Sequence, residues 1–189
     1  MPKKAKSSPK STENARIALA ALRLANEKGW QAVTLDKVAK AAKVKITLKS
    51  SYDLVGIIAA TLDDAAWAAI TPQGSAHDRL FDLLMARFDE LQKHRRAITS
   101  MAKTARSDKK LSCMLGKATI DGVYRLIEKS GLTEPARPIL AAGLLAIYGW
   151  VFLVWQRDDS RDMAKTMAAL DRALGWADKG VTLLIPRAR

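Results

Sequence analysis

The chain has 189 residues, enough for a sizeable core in one or two closely packed domains. Half of the residues are apolar and the single cysteine leaves no internal disulfide, which excludes a disordered chain and a disulfide scaffold. The net charge of +13 is uneven: residues 1–52 hold 12 Lys/Arg against 3 Asp/Glu, and residues 53–189 hold 20 against 16. Charge concentrated in this way attracts phosphate, from nucleic acid or an anionic bilayer; the rival reading is a merely solvated basic surface.

Residues 1–11 are charged and lack an apolar core, so they read as a flexible basic arm rather than a secretory signal, and a cytoplasmic protein is expected. A helix is predicted from an N-cap at Thr12, with Ile17, Ala21, Leu24 and Ala25 on one face and Gly29 at its end. Thr34 is the N-cap of a short second helix whose apolar face is Leu35, Val38, Ala39 and Ala42. After a tight turn, a third helix is predicted to carry Lys45, Thr47, Lys49, Ser50 and Ser51, with Lys45 and Lys49 one turn apart on one face. Longer helices follow at about Asp53–Ile70, Ala76–Gln92, 94–107, 109–130, 136–156 and 160–178, with no strand alternation and no repeat. The expectation is an all-α chain: a helix-turn-helix head at 12–54 and a helical regulatory and dimerisation body at 55–189.

The stretch Ala15 to Val44 resembles the start of a tetracycline-repressor (TetR) DNA-binding domain. Gly29-Trp30, Thr34-Leu35, Val38-Ala39 and Ala41-Ala42-Lys43-Val44 match that family's pattern without a gap. At Lys43 the family usually has Gly. Thr47, Leu48 and Tyr52 match its recognition helix, whereas Lys49 and Val55 stand where Tyr and Lys are usual, and the segment from Val44 to Thr47 is one residue short. The resemblance implies a transcriptional regulator, a ligand-responsive repressor acting as a homodimer on double-stranded DNA and not an enzyme. Residues 77–95 and 155–174 are similar to a TetR-like subgroup related to the lipid-binding accessory protein of coenzyme Q biosynthesis. That subgroup implies the alternative: a lipid chaperone at a membrane surface.

In a helix-turn-helix the second helix enters the major groove with its first side chains on base edges. Thr34, Lys37, Lys43, Lys45, Thr47, Lys49, Ser50, Ser51 and Tyr52 are therefore the expected DNA-binding residues. Ile139 to Trp155 holds 17 residues without a charge. That is short for a membrane span and better suits a central body helix, packed all round or shared with a second copy. Trp150 and Trp155 on it, with Phe81, Met85 and Phe88, are candidate walls for a small apolar or lipid-like effector; plain core packing is the rival for each.

No catalytic or metal constellation emerges and no cofactor is expected. His77 and His94 have no ligand or triad spacing, and Gly-rich phosphate loops are absent. Asp63-Asp64 and Asp158-Asp159 are expected to cap or solvate, with Asp158 or Asp159 capping the last helix. Cys113, among apolar neighbours, is expected to be buried.

Overall fold

A computed structural model describes residues 9–132 and 137–184, with side chains from Thr12 to Leu132 and from Pro138 to Ala177. Its α-helices are α1 (Pro9–Lys28), α2 (Leu35–Ala42), α3 (Leu54–Trp67), α4 (Ala76–Lys93), α5 (Arg95–Ala105), α6 (Lys109–Ser130), α7 (Arg137–Trp155) and α8 (Ala164–Leu184), with 3-10 turns at Trp30–Ala32 and Ser51–Asp53. Among the described residues there is no strand. The chain divides into two compact units, Met1–Ala65 with Leu91–Ala118, and Ala66–Glu90 with Thr119–Arg189. The first reaches past residue 54 and takes in α5 and the start of α6.

In the first unit α1 packs on α2 and α5. The first helix starts at Pro9, earlier than the expected cap at Thr12, because proline is well tolerated in a first turn. The rest of the arm, 1–8, lies outside the described residues. Ile17, Ala18, Ala21, Leu22 and Ala25 are all buried, the stripe that an Ala- and Leu-rich helix presents at helical spacing. Gly29 ends α1 with φ +80, and a Cβ there would sit 3.2 Å from Ser100 Oγ, so both backbone and space call for glycine. Just past it the buried Trp30 donates its backbone N–H to Ser100 Oγ at 2.8 Å. The Ala97 N–H donates to Asn26 Oδ1 at 2.8 Å, so the end of α1 satisfies one of the orphan donors at the start of α5.

In the second unit α7 packs on α8. Ala141, Leu144, Tyr148, Val151 and Trp155 are buried, a seam spaced alternately three and four residues apart. Phe88 stacks on Tyr148 at 5.5 Å, and Phe152 on Trp155 at 5.3 Å. Asp158, 1% exposed, fastens the α7–α8 turn. Its Oδ2 accepts from the Thr166 N–H at 2.8 Å and hydroxyl at 2.7 Å, and its Oδ1 from the Ser160 N–H and hydroxyl. Burial alone would raise the carboxyl, but these hydrogen bonds outweigh it and hold Asp158 well below the usual carboxylate range. The last helix consequently starts at Ala164 rather than near residue 160.

Two burial expectations fail. Asp63 is 1% exposed, whereas Asp64 beside it is in solvent, since adjacent helix positions face different ways. Cys113 is exposed: it lies two residues from the buried Leu111, almost opposite it on α6.

Candidate nucleic-acid interface

The scaffold of the site is the turn after α2. Thr34 has extended backbone and its Oγ1 accepts from the Lys37 N–H at 3.4 Å, the expected N-cap. The Lys37 ammonium donates to the Ala32 carbonyl at 3.0 Å, back across the cap. At the other end Lys43 takes the left-handed conformation, φ 53 and ψ 46, at the position where the resemblance expects glycine. The Val44 N–H returns to the Ala39 carbonyl at 3.2 Å, closing the helix end. Arg16 on α1 donates through Nη2 to the Ala42 carbonyl at 2.6 Å and the Lys43 carbonyl at 3.3 Å. A cation thus satisfies the last carbonyls of α2, the pole that favours positive charge.

The expected third helix is not there. Lys45 to Leu48 has no regular structure, and the chain bends at Lys49 and Ser50. Asp53 Oδ2 accepts from the Lys49 N–H at 3.1 Å and the Ser50 N–H at 2.9 Å, which starts the next helix. Six residues between the left-handed Lys43 and Ser50 leave no room for a helix with its own ends, and the β-branched Ile46 and Thr47 disfavour one. Exposure alternates instead: Lys45, Thr47 and Lys49 face solvent, whereas Val44, Ile46 and Leu48 are half-buried. The three side chains expected at the groove are still exposed, at alternate positions rather than at a helical spacing.

Of the other expected contacts, Thr34, Lys37 and Lys43 are exposed and Ser50, Ser51 and Tyr52 half-buried. Tyr52 is engaged elsewhere. Its hydroxyl donates to Asp108 Oδ2 at 2.9 Å, and the Lys110 ammonium lies 4.7 Å from its ring centroid. The hydrogen bond to Asp108 raises the Tyr52 hydroxyl above its usual range. Asp108 in turn accepts from the Leu111 N–H at 3.0 Å, capping α6, and is held low chiefly by that bond.

Charge follows the same unit. The unit formed by Met1–Ala65 and Leu91–Ala118 holds 20 Lys/Arg against 7 Asp/Glu, +13, and the other holds 12 against 12. The entire net charge therefore lies in the unit that holds α1, α2 and the segment after them. Residues 91–118 supply eight cations and one carboxylate, a contribution that dividing the sequence at residue 52 concealed; a running charge count would have exposed it.

The candidate effector walls are placed as follows. Phe88 and Trp155 are fully buried and pack at 6.4 Å, as core. Met85 is buried, and Phe81 stacks on His77 at 6.2 Å. Trp150 is 40% exposed and stacks on the exposed Trp176 of α8 at 6.4 Å, on a different side of α7 from Trp155. A cleft of about 270 Å³ lies in the first unit, lined by Arg16, Leu19, Ala20, Arg23, Ala41 and Ala42. Among the described residues no three His, Cys, Asp or Glu side chains converge to hold a metal.

No protein-family model matches the sequence. No curated protein matches it in sequence. Solved structures do match it in three dimensions. A TetR transcriptional regulator from Nitrosomonas europaea superposes with TM-score 0.69 at 20% identity, over 91% of this chain and 99% of that one. A protein from Syntrophomonas wolfei described as a TetR-family transcriptional regulator gives 0.59 at 14%, over 95% and 100%. A transcriptional regulator from Rhodococcus gives 0.56 at 21%, over 88% and 96%. An all-α chain with a capped α1–α2 pair at its head and superposition along nearly its full length has the TetR-type regulator fold.

Proposed function

We propose that the protein is a DNA-binding transcriptional regulator, a repressor that acts as a homodimer and responds to a small apolar effector. The observation that carries the DNA reading is the confinement of the whole +13 charge to the unit built on the α1–α2 scaffold. Phosphate attraction supplies affinity, with Lys45 and Lys49, exposed after the α2 turn, on phosphates and Thr47, exposed between them, nearest the bases. Thr34, Lys37 and Lys43 flank them.

The homodimer is supported by α7. Opposite its buried seam run Ile139, Ala142, Ala146, Gly149 and Leu153, again three and four apart and all exposed. A Cβ added at Gly143 or Gly149 would meet nothing within 4 Å among the described residues, so both glycines leave open space on this side of α7. A second copy of α7 fits them by close backbone approach. Pro138–Trp155, with mean hydropathy 2.0, is also long and apolar enough to cross a membrane, and 28% of it is buried.

The test is a salt series of binding to duplex DNA. A steep fall of affinity with salt is expected, and Lys45→Ala with Lys49→Ala should flatten the slope by about two phosphate contacts. Wild-type affinity and slope in the double variant would remove the assignment.

The missing third helix favours a second reading, the lipid-binding accessory protein of quinone synthesis, with the basic unit on an anionic bilayer. Binding to anionic vesicles but not to duplex DNA, with a co-purified isoprenoid lipid, would select it.

A further inference from the structure

We infer that a second basic surface, on α5 and the start of α6, binds the phosphate backbone of duplex DNA beyond the segment that the helix-turn-helix engages. This rests on the DNA reading above and extends its footprint.

In α5 the buried and charged faces are opposed. Ala97, Ile98 and Met101 of α5 are buried, and α5 packs on α1. Arg96 and Lys103 lie two turns apart on the opposite face, and Arg106 follows one turn later; all three are exposed. Lys109 and Lys110 continue the row into α6 and are exposed as well. From Arg96 to Arg106 the helix rises about 15 Å, long enough to follow several phosphates of one strand at about 3.4 Å of axial rise each.

Two features separate this row from an ordinary solvated face. Its single carboxylate, Asp108, offsets one charge, that of Lys110 most directly, and leaves the row of Arg96, Lys103, Arg106, Lys109 and Lys110 at +4. And Tyr52, with Lys110 over its ring, joins the row to the segment carrying Lys49. The row and the segment Lys45–Lys49 therefore belong to one unit and meet at the Tyr52–Lys110 contact. Duplex DNA is the polyanion that this junction favours over a bilayer, because the segment proposed to face the bases adjoins it. With no regular helix at 45–50, much of the affinity comes from this row, and it is independent of base sequence.

The test uses the full chain with Arg96→Gln, Lys103→Gln, Arg106→Gln and Lys109→Gln together, beside the Lys45→Ala/Lys49→Ala protein. All six side chains are exposed, and an unchanged melting curve by circular dichroism checks the fold. Should the Gln protein melt early, Arg96→Glu alone replaces it. The expected result is a salt slope shallower by about 3 to 4 for the Gln protein, or by at least about 1 for Arg96→Glu, equally on any duplex. An unchanged slope, with the Lys45/Lys49 protein still flattened, overturns the inference and leaves the DNA reading standing. Lost binding to phosphatidylserine vesicles with DNA binding intact also overturns it and assigns the surface to a membrane. A wild-type protein with no salt-dependent duplex affinity overturns both.

Discussion

Tyr52 and Asp108, 56 residues apart, are joined by a 2.9 Å hydrogen bond between the start of α3 and the cap of α6. The residue that resemblance assigns to DNA is thus spent inside the protein. Tyr52→Phe should lower the thermal midpoint and leave the salt slope of duplex binding unchanged. A slope reduced by about 0.9 would instead mean that the hydroxyl touches a phosphate. Because Asp108 is held low in the folded state, its contribution is complete above the usual carboxylate range and fades as pH falls below it.

Asp158 makes a sharper acid prediction. Its folded-state carboxyl is depressed, so its stabilisation is present above the unfolded value of about 3.9 and is lost as pH falls through the folded one. Asp158→Ala removes an acceptor of four hydrogen bonds from a buried turn, and a loss on the order of 2–3 kcal/mol is expected at pH 7. Urea melts of both proteins should converge as pH drops below about 4. A gap that does not narrow would show that the turn is held by something else.

Lys43 has φ 53, a conformation costly for a side chain with a Cβ. Lys43→Gly should stabilise the chain by about 0.5–1 kcal/mol, or a midpoint rise of about 1–4 °C. Differential scanning calorimetry measures it; a lower midpoint would mean that the lysine side chain contributes more than its strain costs.

The two seams of α7 should respond oppositely to charge. Leu144→Glu places a carboxylate in the buried seam and should unfold the second unit. Ala146→Glu, on the exposed seam, should leave circular dichroism intact and yield monomer by light scattering. A folded Ala146→Glu dimer would put the interface elsewhere.

How much of this was legible depended on whether a signal was local. The helix α6 spans Lys109–Ser130, as the periodicity places it, and Thr34 and Gly29 bound their helices because capping chemistry lies within a few residues of the boundary. The segment Lys45–Ser50 misled because Lys45 and Lys49 satisfy a helical spacing that six residues between two fixed ends cannot adopt. The polar partner of Tyr52 was out of reach, since nothing near Tyr52 in sequence points to Asp108. The aromatic candidates were not separable for a related reason: composition marks Trp150 and Trp155 alike, and only the seam register separates the exposed ring from the buried one.

The double seam of α7 has a further consequence. Its inner residues are covered at any dilution, whereas its outer residues depend on meeting a second molecule. If the proposed homodimer forms there, resistance to heat and proteolysis would rise with the amount of protein made, because mass action favours the folded pair over unfolded chains. Scarce copies would be the vulnerable ones, and abundance itself would become a determinant of lifetime.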